Sequence, residues 1–309
     1  MTERLFIVGH PVAHSKSPAM HDALYRAVGL EWEYGFADQE DDRAARTFIA
    51  DRSFLGCNVT MPYKRIAFAQ ADVQAASAKL AGGANVVANK DGLLICYNVD
   101  GKGCIGFLEL AGVTFADARV VVCGTGPTSM AIMHAAAEAG AADITLLGRD
   151  KRKAQERVDA YLEEYRLLLG TAVPMPSAVE GHLSFADAYE HANFRFGDYA
   201  GARRAIAQAD VIVDATPLGM QPGDPSPFDV SLMHEGQAVM DVVYGHGQTA
   251  LLAAARNVGA RTFDGAGMLV AQAVDTAQIF FDIFGVECSL TQREMFDIMA
   301  RGAGFALTL

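Results

Sequence analysis

"VVVCGTGPTSM", residues 120–130, decides how this chain is read. Val120 to Cys123 form an apolar run with no polar face, the pattern of a strand buried on both sides. A G-x-G turn follows, and then a helix of small residues, "SMAIMHAAAEAG" (129–140). Gly124 allows the tight turn. Gly126 lets a diphosphate approach the backbone, where the free N–H groups of the helix face it. The third glycine of the dinucleotide fingerprint is missing. Ser129 stands in its place, small enough for helix–strand packing, and Pro127 removes one donor. Gly124, Gly126, Pro127 and Thr128 are therefore the candidate dinucleotide cradle. A purely structural strand-to-helix turn would use the same glycines.

Downstream, "DITLLG" (143–148) is the next strand, and a charged helix, "RDKRKAQERVDAYLEEYRLLLG" (149–170), follows it. A group at this strand end meets the adenosine ribose. Asp150 there could accept the 2′-hydroxyl of NAD and would repel the 2′-phosphate of NADP, whereas Arg149, Lys151 and Arg152 would attract that phosphate. The same charges also read as a solvated helix start. Further strand cores lie in "ADVIVDATP" (209–217), "QAVMDVVYG" (237–245) and "GARTFDGAG" (259–267). Residues 171–208 lack apolar periodicity and read as an enlarged, partly irregular connection. Residues 265–309 read as largely helical.

Upstream, the first hundred residues form a second alternating series. Strands are expected at 4–9, 31–37 and 54–60, with helices at 17–30 and 42–50. "NVVANKDGLLICYNVD" (85–100) reads as a hairpin about its NKDG turn. Strands alternating with helices imply parallel sheets. A chain of 309 residues is long for one such domain and comfortable for two.

Composition narrows the function. Hydrophobic residues make up 51% and charged residues 20%, which is globular and able to bury large cores. A net charge of −12 argues against nucleic acid or an anionic membrane as partner. No N-terminal signal is seen, and no stretch approaches the ~18–20 apolar residues of a membrane span. The five cysteines are scattered, without CxxC or a histidine at metal spacing, so free thiols in a reducing cytoplasm and no metal are expected.

Short stretches of the first series carry chemistry. "GHPVAHSKSPAMH" (9–21) sets Ser15 and Ser17 at a strand-to-helix turn, where two hydroxyls and a helix N-terminus can hold one carboxylate. Ordinary capping by Ser17 is the plainer alternative. His10, His14 and His21 are irregularly spaced and read as packing or rim residues. "NVTMPYK" (58–64) supplies Thr60 and Lys64, "GGANVV" (82–87) supplies Asn85, and "YNVDGKG" (97–103) supplies Asn98 and Asp100. Strand ends along one sheet edge share a crevice. Lys64 and Asp100 could pair there, with the carboxylate orienting the amine toward a substrate hydroxyl. A surface salt bridge worth at most ~1 kcal/mol is the alternative.

Together with "DATPLGM" (214–220), "DVVYGHGQTALL" (241–252) and "GAGMLVAQA" (265–273), these stretches resemble the shikimate dehydrogenases, in the right order over nearly the whole chain. The resemblance implies two α/β domains. A substrate-binding domain would comprise 1–101 plus 266–309, with the C-terminal helices returning to it. A Rossmann-type, doubly wound parallel-sheet domain would comprise 102–265. It also implies that Ser15 and Ser17 hold the substrate carboxylate and that Thr60, Asn85 and Gln272 bond the ring hydroxyls. Lys64 and Asp100 would be the catalytic pair, with Tyr244 near the substrate. Gly124 and Gly126 would receive the pyrophosphate, and Thr216, Pro217, Leu218, Gly219 and Met268 would surround the nicotinamide.

Three departures from the family pattern shape the expectation. Val86 and Val99 stand where the family usually has Thr, which could redirect specificity. Asp150 stands where a phosphate-friendly Thr is usual, which favours NAD, with NADP the alternative. These departures point to a divergent member of the family, and the resemblance as a whole implies reversible hydride transfer between 3-dehydroshikimate and shikimate. Quinate or a related ring carboxylate is the alternative substrate, and a non-catalytic ligand sensor the alternative class. The protein is expected to be a cytoplasmic monomer or homodimer.

Overall fold

The computed structural model describes residues 4–169, 178–179, 182–184 and 192–307. Much of the expected irregular connection, 170–177, 180–181 and 185–191, lies outside the described residues. The chain divides into two compact units, Met1–Gly103 with Leu269–Leu309, and Cys104–Met268.

In the first unit the chain runs β1 (Arg4–Gly9), α1 (Ser17–Ala27), β2 (Glu33–Asp38), α2 (Asp42–Asp51), β3 (Gly56–Val59), α3 (Lys64–Gln70), β4 (Val73–Gln74), α4 (Ala76–Ala81), β5 (Val86–Lys90) and β6 (Leu93–Tyr97). The sheet order is β2-β1-β3-β5-β6-β4. β1 is parallel to β2 and β3, while β5 is antiparallel to β3 and β6. The hairpin between β5 and β6 turns on Asp91 and Gly92, both at positive φ (53° and 87°), the backbone twist that a two-residue hairpin favours. Pro18 opens α1, and Asp41 caps α2 by accepting from Ala44 N at 2.7 Å. Gly56 has no side chain because the buried Phe280 ring occupies that space, with Cζ 2.8 Å from where a Cβ would sit.

Helix α5 (Asp100–Leu110) leads into the second unit. There the chain runs β7 (Arg119–Cys123), α6 (Pro127–Glu138), β8 (Asp143–Gly148), α7 (Lys151–Leu169), β9 (Ala178–Val179), β10 (His182–Ser184), β11 (Asn193–Asp198), α8 (Arg203–Gln208), β12 (Val211–Asp214), β13 (Ala238–Asp241), α9 (Ala250–Asn257) and β14 (Arg261–Phe263). The sheet order is β14-β13-β12-β7-β8-β11-β10-β9, and its first six strands, β14, β13, β12, β7, β8 and β11, form a parallel core. That core is the doubly wound Rossmann order, with its switch point between β7 and β12. Helix α10 (Gly265–Phe284) returns the chain to the first unit, where α11 (Gln292–Ala303) packs against α1. Thr291 and Glu294 form a capping box at the start of α11.

Two expectations need correction. Part of the 171–208 connection is regular: β11 pairs parallel with β8, and α8 follows it. Phe194 and Phe196 are buried on one side while Arg195 points out, a short alternation hidden among polar residues. Helix α10, at 20 residues, is also long and apolar enough by composition to cross a membrane. Its most apolar window is 61% buried within the fold, so its hydrophobicity is used for packing.

Candidate active site

In the first unit the end of β3, the start of α3 and the start of α5 bring the central residues together. Lys64 opens α3 and Asp100 opens α5. Lys64 Nζ pairs with Asp100 Oδ2, and their side chains are only 14% and 7% exposed. This is not the solvated surface bridge of the plainer reading. Taking two charges out of water costs several kcal/mol per ion, so such a pair is poor support for stability alone. Asn85 Nδ2 donates to the other carboxylate oxygen, Oδ1, at 2.7 Å, and Asn85 Oδ1 accepts from Val99 N at 2.9 Å. Asn98 ties down the start of α5. Its Oδ1 accepts from Asp100 N at 3.0 Å, and its Nδ2 donates to Gly83 O at 2.8 Å.

A layer beneath this cluster was not legible in the sequence. The buried Asn58 accepts from Tyr34 Oη at 2.7 Å and donates to Thr276 Oγ1 at 3.0 Å and to Asn85 O at 3.3 Å. Thr276 donates in turn to Gln272 O at 2.9 Å. Gln272 lies against Gly103, where a Cβ would come within 2.7 Å of the Gln272 backbone nitrogen. Gln272 Nε2 donates to Leu269 O at 2.8 Å, which leaves its carbonyl oxygen and second N–H for other use. The separations between Asn58 and Thr276 and between Gly103 and Gln272 exceed anything a local motif encodes.

The Ser15 hydroxyl donates to Ser17 Oγ at 3.2 Å and accepts from Ser17 N at 3.3 Å. Ser17 is the first residue of α1 and not its cap, and the residue before it, Lys16, makes no side-chain cap. The capping alternative therefore fails, and two linked hydroxyls stand at a helix N-terminus. Thr60 follows β3, its N–H donating to Val8 O at 2.8 Å. His21 is fully buried, stacks on Tyr34 and meets Tyr25 Oη at 3.0 Å. Burial pushes its pKa down to about 3, so it is a neutral packing residue. Val86 is wholly buried and Val99 nearly so. Both are as buried as the neighbouring Asn85 and Asp100.

In the second unit Gly124 takes φ +108°, and a Cβ there would sit 2.6 Å from Ser129 Oγ and 3.0 Å from Ala215 O. At Gly126, the N-cap of α6, a Cβ would meet nothing within 4 Å, and no side chain caps the helix. Protein packing thus requires the first glycine but not the second. The second leaves open space before the N-terminus of α6, which fits a dinucleotide diphosphate. Pro127 and Thr128 form the first turn of α6. Asp150 Oδ1 accepts from Arg152 N at 2.9 Å, Arg152 pairs with Glu156, and Lys151 Nζ lies 5.9 Å from the centre of the Phe196 ring. The helix-start reading therefore holds for much of this charge group, with Asp150 contributing one oxygen to it. Thr216 N donates to Asp214 Oδ1 at 2.9 Å, and Gly219 takes φ +99°. Tyr244 follows β13, and Met268 is buried at the end of the unit. Among the described residues, no three His, Cys, Asp or Glu side chains gather to hold a metal.

A Rossmann-type sheet with an open glycine turn, on a chain that also holds a sheltered lysine–aspartate pair, defines the class of nicotinamide-dependent oxidoreductases. The family model for the shikimate dehydrogenase substrate binding domain matches residues 7–87. The shikimate dehydrogenase (NADP(+)) of Symbiobacterium thermophilum is 35% identical over 281 residues, which is 90% of this chain and 88% of that one. Among solved structures, shikimate 5-dehydrogenase from Thermus thermophilus in complex with NADP(H) and shikimate superposes with a TM-score of 0.76 at 25% identity, covering 97% of this chain and 100% of that one. Quinate dehydrogenase from Corynebacterium glutamicum in complex with NAD gives 0.75 at 27% identity, covering 97% and 99%. The chain belongs to the shikimate dehydrogenase family.

Proposed function

We propose that this chain catalyses the reversible, nicotinamide-dependent oxidation of shikimate to 3-dehydroshikimate, with the first unit binding the ring and the second the dinucleotide. The observation that carries the reading is the sheltered Lys64–Asp100 pair, braced by Asn85, in the stretch of chain that carries the family's motifs. Ser15 and Ser17 hold the ring carboxylate at the start of α1. Thr60 and Gln272 bond ring hydroxyls, and Tyr244 lies near the substrate. Asn85, expected to bond a hydroxyl, has already committed its amide to Asp100 and the Val99 N–H, so its main role is to hold Asp100.

Gly124, Gly126, Pro127 and Thr128 hold the diphosphate, Arg149 and Asp150 border the ribose, and Thr216, Pro217, Leu218, Gly219 and Met268 surround the nicotinamide. A nicotinamide held there would supply the acceptor for the carbinol hydride in oxidation and its donor in reduction. In reduction the charged Lys64 Nζ donates a proton to the developing alkoxide and is left as the neutral amine. Oxidation starts from that neutral amine, reached by loss of a proton to solvent. The amine then takes up the hydroxyl proton, while Asp100 keeps it aligned. Asp150 favours NAD by opposing a 2′-phosphate, although the Symbiobacterium relative is named for NADP(+).

Steady-state kcat/KM for shikimate and for quinate, each with NAD and NADP, tests the reading. Shikimate is expected to exceed quinate by about tenfold or more. No reduced nicotinamide from shikimate with either cofactor would overturn it.

A further inference from the structure

Two carboxyl groups of the second unit take no part in the chemistry above. Asp214 ends β12 and Asp241 ends β13, and they are register partners on neighbouring parallel strands. Side chains in register on adjacent strands project to the same face of a sheet. Asp214 is 1% exposed and Asp241 is 0% exposed. Each carboxyl uses Oδ1 to fix the turn that follows it: Asp214 accepts from Thr216 N at 2.9 Å and Asp241 from Val243 N at 3.0 Å. Each leaves Oδ2 buried without a hydrogen-bond partner.

The titratable groups that act on the pair are the Cys123 thiol at the end of β7, the Tyr199 hydroxyl in the turn after β11, and Asp264 just before α10. The Thr216 and Thr249 hydroxyls nearby favour the charged forms, against the larger effect of burial. Among the described residues, no cation figures in the balance of either carboxyl. Two ionised carboxylates cannot cheaply share such a place, whereas one proton on an Oδ2 would satisfy both orphaned oxygens. The two turns also touch directly. A Cβ at Gly219 would sit 2.6 Å from Thr249 Cγ2 and 3.7 Å from Asp241 Oδ2.

We propose that Asp214 and Asp241 hold one proton between them at neutral pH, and that this proton clamps the turn at Thr216–Gly219 to the turn at Val242–Thr249. Loss of the proton loosens both turns and weakens dinucleotide binding. The link to the dinucleotide rests on the cofactor assignment above; the shared proton does not.

The sign follows from the direction of the shifts. Burial, and then the charge of Asp241, lift Asp214 to about 7, and burial raises Asp241 as well. A carboxyl raised in the fold contributes stability that is complete below its ordinary pKa near 4 and is lost as pH rises through about 7. An anionic dinucleotide near the pair favours the protonated form, so its binding takes up protons and weakens with rising pH.

The test compares the wild type with Asp214→Asn, which keeps the acceptor for Thr216 N and offers an amide N–H to Asp241. The melting temperature of the variant, without cofactor, should gain on the wild type by about 3 °C or more between pH 5.5 and pH 8. The ratio of wild-type to variant Kd for NADH, from fluorescence titration, should rise about threefold or more between pH 6.5 and pH 8.5. An infrared carboxylic-acid band should be present in the wild type at pH 6, fade by pH 8.5, and be missing from the variant. If Asp214→Asn does not fold, Asp241→Asn makes the same comparison. A melting difference that does not change with pH, or identical infrared spectra, overturns the shared proton. A constant Kd ratio with the other two results in place overturns the clamp. No binding of NADH or NADPH at any pH overturns the cofactor assignment, and the melts and spectra then judge the shared proton alone.

Discussion

Asn85 has one carboxamide and two tasks inside the fold. Its N–H steadies Asp100 Oδ1, and its oxygen accepts from the Val99 N–H just before α5. A residue that bonded only substrate would show its loss in KM. A residue that positions the catalytic carboxylate shows it in kcat. Asn85→Ala should therefore lower kcat by about 10- to 100-fold with KM within about threefold. It should also cost about 1–3 kcal/mol of stability through the orphaned buried N–H. Steady-state kinetics and a urea melt read both. A KM rise with unchanged kcat would return Asn85 to the role of a substrate ligand.

The glycine turn between β7 and α6 separates packing from binding. Gly124 is demanded by the fold, since its positive φ and the nearby Ala215 carbonyl both exclude a side chain. Gly126 has ordinary backbone angles (φ −87°, ψ 174°) and open space beside it. Gly126→Ala is expected to lose about 1 kcal/mol or less in thermal or denaturant melts. It should weaken dinucleotide binding by about tenfold or more in fluorescence titration, because the new methyl stands where the diphosphate must approach. A large stability loss with unchanged affinity would mean that this turn is structural only.

At this scale the sequence was partly readable, for physical reasons. Strong local signals carried β7, α6 and the NKDG hairpin: an unbroken apolar run, a small-residue helix and a turn with two positive φ values. β11 escaped because only Phe194 and Phe196 mark it among Asn, Arg, Gly and Asp. Ser17 was ambiguous because capping and ligand binding use the same hydroxyl, and its place inside α1 sets aside only the first.

Across the whole chain, each unit supplies one part of the proposed chemistry, and each is assembled from distant segments. The first unit closes only when α10 and α11 return to it, bringing Gln272 and Thr276 to residues more than 150 positions earlier. Sequence motifs named Lys64 and Asp100. They could not show that the pair is sheltered, that Asn85 and Asn98 hold it, or that Asn58 and Thr276 lie beneath it, because those facts depend on burial and long-range contact. The central claim is that Lys64 moves the proton of the ring alcohol. It is tested most directly by measuring kcat for shikimate oxidation, and the shikimate dissociation constant, in a folded Lys64→Met variant. The account predicts a kcat lower by ~10²–10⁴ with the dissociation constant changed by no more than a few fold. Turnover within a few fold of the wild type would contradict it.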